Sequence, residues 1–140
     1  QSNTQQKIQR NNIMSTRAII HVYDDLEDET PITTIYKHFD GYPTKHGVGQ
    51  TLKEYVKDSR IVNGLALDPV PGSHNGMGCF TASLTSHLKD KPGDVYIEKP
   101  GTSGLYESYI YTIAPAGDTG RLTLIVRDTS DESQEMLVAG

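Results

Sequence analysis

The hydrophobic period of this chain changes twice, and that change limits the folds open to it. In RAIIHVY (17–23) Ala18, Ile20 and Val22 point one way while Arg17, Ile19, His21 and Tyr23 point the other, the alternation of a strand. ITTIYKHF (32–39) follows an acidic turn, DDLEDETP, and completes a hairpin. From His46 the spacing becomes helical, with Val48, Leu52, Tyr55 and Val56 on one stripe and Lys53, Glu54, Lys57 and Asp58 facing water. A Pro- and Gly-rich loop (66–78) leads to a second stripe, Met77, Phe80, Leu84 and Leu88, which stops at Pro92 and Gly93. The period of two then returns in DVYIE (94–98), YESYIYTI (106–113) and RLTLIVR (121–127), with PAGDTG as a hairpin turn between the last two.

The order ββααβββ predicts an α+β fold: a single domain with a mainly antiparallel sheet of about five strands and two helices on one face. A length of 140 residues suits one domain. Residues 1–14 are polar and rich in Gln and Asn, and read as a disordered extension or expression remnant ahead of the fold. Residues 129–140 read as an acidic flexible tail, which leaves 15–128 as the domain.

Composition narrows the function classes. A formal charge of −5 argues against broad nucleic-acid binding, and no apolar run approaches the roughly 20 residues of a membrane span. The single cysteine, Cys79, excludes an intrachain disulfide and favours a reducing, cytoplasmic setting. Eight tyrosines stand beside no tryptophan, so rings with polar tips are expected at half-buried or ligand-facing positions.

Two loops concentrate chemistry. In HFDGYPTKHG (38–47), His38 and Asp40 are two apart on an expected strand and so share a face with Tyr36, while Tyr42 and His46 follow the bend. His38, Asp40 and His46 would suffice as ligands for a divalent metal, or as a proton-transfer pair. Asp40, Gly41 and Pro43 are also ordinary turn residues, and the structural reading leads. In PGSHNGMGCF (71–80), backbone amides at a glycine-bearing helix start would favour an anion, with Ser73 or Asn75 supplying a capping oxygen. The competing reading is helix entry with close backbone packing, which would account for Gly76 and Gly78. Cys79 with His74 is a conceivable nucleophilic pair, against the reading of a small buried hydrophobe. The sheet face away from the helices is expected to be tyrosine-rich, able to take a flat ligand or a second subunit; Arg17, Arg121 and Arg127 are edge cations that could grip an anion.

STRAIIHVYDD, TIYKHFDGYPTKHG, RIVNG and HNGMGCFTASLTSHLKD together resemble a family of small viral, prophage and microbial proteins, with an IY-x-H[FW]DGYP-x-x-x-G motif and a GMGC-type helix start. The likeness runs from Ser15 to about Val126 and implies one compact domain. It carries over no catalytic residue, and its viral association points to host interaction.

The expectation is a non-enzymatic binding protein for a small anionic or nucleotide-like ligand or a protein partner, working as a homo-oligomer and without a cofactor. Its site would join Tyr36, His38, Asp40, Tyr42 and His46 to His74, Asn75, Gly76 and Gly78. The alternatives are a metal-dependent hydrolase using His38, Asp40 and His46, with His74 as a further candidate, and a structural oligomerisation protein.

Overall fold

The computed structural model describes residues 15–140, so the reading of 1–14 lies outside the described residues. Strands β1 (Ala18–Val22) and β2 (Thr33–Lys37) form the expected antiparallel hairpin, Ala18 opposite Lys37 and Val22 opposite Thr33. Helix α1 (Val48–Lys57) leads to β3 (Arg60–Val62), β4 (Ser73–Asn75) and helix α2 (Gly76–Leu88). Strands β5 (Val95–Glu98), β6 (Tyr109–Pro115), β7 (Leu122–Asp128) and β8 (Gln134–Val138) follow. The domain is α+β. Its main sheet has six strands rather than five, in the order β5-β2-β1-β6-β7-β8, and β3 and β4 make a separate parallel pair.

The sheet departs from the sequence reading in two places. It is mixed, because β1 and β6 run parallel while its other neighbours are antiparallel. The cause is topological: β5 sits at the edge beyond β2, so the segment 99–108 must travel back across two strands before β6 can enter beside β1. The second departure is the tail. Residues 134–138 pair with β7 as an edge strand, and Leu137 and Val138 pack against the core, so the flexible-tail reading of 129–140 is corrected there. Two partly buried apolar residues in an acidic stretch are too few to announce a strand.

One face of the sheet holds the core. Ala18, Ile20 and Val22 point at the helices as their alternation requires, and meet Val48, Leu52 and Val56 of α1 and Phe80 and Leu84 of α2. Tyr111 and Ile113 join them, and the buried Tyr111 hydroxyl donates to the Gly41 carbonyl at 2.8 Å. Ile19 and Thr34 lie on the other face, yet both are fully buried. What covers that face is the 99–108 crossover. Gly101 N–H donates to Thr34 Oγ1 at 2.9 Å, Arg17 donates to the Leu105 carbonyl at 3.4 Å, and Ser108 N–H donates to the Arg17 carbonyl at 2.8 Å. This crossover is a strap laid over β1 and β2.

Candidate functional site

The corner HFDGYPTKHG does not gather its reactive side chains. Strand β2 ends at Lys37, and Asp40 (φ 55°) and His46 (φ 72°) adopt left-handed backbone, so the alternation expected to put His38 and Asp40 on one face is broken. His38 turns to the strap-covered face, beside Tyr36 and Arg17. Asp40 and His46 instead line a polar cleft with Lys37, His87 and Asp94. Backbone bonds hold the corner: Val48 N–H donates to the Asp40 carbonyl at 2.7 Å and Gly49 N–H to the Tyr42 carbonyl at 3.2 Å. A Cβ on Gly47 would lie 2.0 Å from the Tyr42 oxygen, which explains that glycine sterically. The Tyr42 hydroxyl reaches Asp40 at 3.3 Å, a weak contact.

The cleft beside this corner is organised by an ion pair that the sequence reading did not contain. Lys37 Nζ and Asp94 Oδ2 are 2.6 Å apart, with side chains only 12% and 6% exposed. Burial would raise the Asp94 carboxyl, but the hydrogen bond from Lys37 and the Phe39 amide outweigh it and hold it below its ordinary range. With its partners satisfied, this pair ties β2 to the residue preceding β5.

The second expected loop is also separate. Asn75 and Gly76 line an open groove of about 620 Å³ with Ile61, Val62 and Arg121, at the start of α2. Asn75 accepts Gly64 N–H at 2.8 Å instead of capping the helix. Gly76 has φ 83°, which suits glycine, but a Cβ on Gly76 or Gly78 would meet nothing within 4 Å. Close packing therefore explains neither glycine, contrary to expectation. His74 is buried against Tyr55 and Phe80, its Nε2 3.3 Å from Ser59 Oγ, and burial pushes its pKa down. It is a satisfied core histidine bonded to Ser59. Cys79 is exposed rather than a buried hydrophobe.

Helix geometry measures the gap between the two loops. Gly76 lines the groove and Leu88 lines the polar cleft, at opposite ends of the 13-residue α2, so roughly 18 Å of helix separates them. No single small-ligand pocket spans both. Among the described residues, no group of three or more His, Cys, Asp or Glu side chains is arranged to hold a metal ion, and the set His38, Asp40 and His46 is divided between two surfaces.

The arrangement with the most convergent chemistry is on the strap-covered face. Register places Tyr36 opposite Ile19 on β1 and opposite Tyr96 on β5, and Thr34 opposite Glu98. Arg17, Tyr36, His38, Tyr96 and Glu98 line a shallow concavity of about 360 Å³. The Tyr36 and Tyr96 rings lie 5.9 Å apart at 34°, and the Tyr36 hydroxyl is 2.7 Å from His38 Nδ1. Burial raises the Tyr36 pKa; Arg17 opposes that shift, and Tyr96, Glu107 and Glu98 reinforce it. Arg17 is in neither ion pair of the described residues, and its guanidinium stands 5.7 Å from the centre of the Tyr106 ring. Tyr106 is 87% exposed with φ 63°, an uncommon conformation for an aromatic residue.

The alternation of DVYIE already puts Tyr96 and Glu98 on one face, but only the pairing of β5 with β2 brings them beside Tyr36. That pairing joins segments some 60 residues apart, a contact local periodicity does not carry. Tyr109 and Tyr111, by contrast, face the helix side, where Tyr111 is core. No helix among the described residues is long and apolar enough to cross a membrane. No protein-family model matches the chain, and neither the curated proteins nor the solved structures contain a significant match to it.

Proposed function

We propose that this protein is a binding protein for a small planar anion of the nucleotide type, taken up on the strap-covered face of the sheet. The observation that carries the reading is the meeting of Arg17, Tyr36, His38, Tyr96 and Glu98 in one concavity. The paired tyrosines offer a base a stacking surface, a contact that ordinarily contributes about 1–3 kcal/mol per base. Arg17 offers a phosphate a planar, permanently charged donor. Glu98 offers an acceptor to a ring amine or a sugar hydroxyl. The likeness to small viral and prophage proteins adds host interaction as the setting of the same reading.

Isothermal titration calorimetry with 5′-AMP, and separately with inorganic phosphate, tests the proposal. Binding of 5′-AMP should weaken about tenfold or more in Arg17→Ala, because a charged hydrogen bond is lost. Tyr96→Ala should weaken it by a similar factor through lost stacking. Tyr42→Phe, altered at the other corner, should bind like the unmodified chain. Equal affinity in all three variants would sink the assignment.

A further inference from the structure

We propose that the loop 63–72 and the groove beside it form a self-complementary surface through which two copies of this chain pair. The loop leaves β3 and returns to β4, and its ends are pinned. Gly64 N–H donates to Asn75 Oδ1 at 2.8 Å, Arg60 N–H to the Gly72 carbonyl at 2.8 Å, and Ser73 N–H to the Val70 carbonyl at 3.1 Å. Gly72 is fixed too, since a Cβ there would lie 2.2 Å from the Asp58 carbonyl oxygen. From this pinned base the loop presents Leu65, Leu67 and Val70, which are 49%, 108% and 70% exposed. Three such side chains within six residues, Leu67 without any cover from its own chain, concentrate apolar exposure on one loop rather than scattering it over the surface.

The receiving surface is adjacent. The groove of about 620 Å³ begins at Asn63, where the loop starts, and offers Ile61, Val62 and Pro115 as apolar wall with Arg121 at its side. Charge complements the apolar match. Asp68 sits between Leu67 and Val70 on the projection, Arg121 belongs to the groove, and neither is in an ion pair among the described residues. Donor and acceptor are contiguous on one copy, which is what a two-fold, isologous contact requires: each loop fills the other copy's groove, and each Asp68 faces the other copy's Arg121. The outer edge of β5 is less suited to this role. Lys89 Nζ occupies the Val95 carbonyl at 3.1 Å and stands 5.7 Å from the Tyr96 ring, and a lysine there blunts strand-to-strand pairing.

Sedimentation velocity over a concentration series tests this directly. The unmodified chain should sediment as a species of twice its 15.4 kDa mass. Leu67→Asp should raise the dimer dissociation constant about tenfold or more while leaving the thermal melt of the monomer unchanged, because Leu67 has no cover to lose. Asp68→Arg and Arg121→Asp should each weaken the dimer, and the double variant should restore it. A monomer at all concentrations, a ladder of larger species, or a dimer indifferent to Leu67→Asp would overturn the proposal. Failure of the double variant to recover would overturn the charge pairing.

Discussion

At the scale of single residues, glycine separates architecture from opportunity. Gly49 approaches both Pro43 and Tyr111, and a Cβ there would lie 2.3 Å from Pro43 Cα and 2.7 Å from the tyrosine hydroxyl oxygen. Gly78 is helical and would meet nothing. Gly49→Ala should therefore destabilise the fold by more than about 2 kcal/mol through overpacking, whereas Gly78→Ala should stabilise it by up to about 1 kcal/mol through helix propensity. Urea denaturation of the two variants checks both signs. From sequence, HFDGYPTKHG and SHNGMG looked alike as glycine-bearing helix entries; only the backbone packed against each one tells them apart. The histidines divide in a similar way. Burial lowers the pKa of His21, an effect that Glu107 opposes and Arg127 reinforces, and burial lowers that of His74. Both folded values then lie below the unfolded value of about 6.5, so the unfolded chain takes up protons first. Stability from these two groups is complete above about pH 6.5, falls as the pH drops through that value, and levels off below the folded pKa values. The melting temperature should decline in that window, and a His21→Gln/His74→Gln double variant should flatten the decline. A flat profile in the unmodified chain would refute it.

Among the elements, those with long, regular periodicity were readable and the short or acidic ones were not. The stripe of Val48, Leu52 and Val56 and the alternation of Ala18, Ile20 and Val22 point to the core as their spacing requires. Strands β3 and β4 have three residues each, too few to display a period. Strand β8 hides in QEMLV, whose first three residues are exposed. Deleting residues 129–140 tests the correction made to that segment. Loss of the partly buried Leu137 and Val138 should cost about 2 kcal/mol and lower the urea midpoint; an unchanged midpoint would restore the reading of a loose tail. The strap 99–108 was unreadable for another reason. Its role depends on β2 and β1 lying between β5 and β6, and one of its attachments falls on a single atom: Thr34 Oγ1 accepts Gly101 N–H at 2.9 Å and lies 2.8 Å from His21 Nδ1. A neutral His21 can accept the Thr34 hydroxyl proton there, which is consistent with its lowered pKa.

For the whole molecule, the helices and strap give the sheet two unlike faces. One is filled by core side chains, and the other carries Tyr36, Tyr96, Arg17 and Glu98 beside the crossover. Candidate chemistry read from the sequence as one site is thereby distributed: His38 and Tyr36 belong to the strap-covered face, Asp40 and His46 to the polar cleft, Asn75 and Gly76 to the groove at the other end of α2. The groove and the strap-covered concavity share no lining residue, so pairing of two copies and ligand uptake should be separable by mutation. The central claim is that uptake occurs on the strap-covered face, and amide-resolved NMR titration with millimolar 5′-AMP tests it most directly. The account predicts shifts concentrated at Arg17, Tyr36, His38, Tyr96, Glu98 and Tyr106; shifts confined to Asn75, Gly76 and Arg121, or none at all, would contradict it.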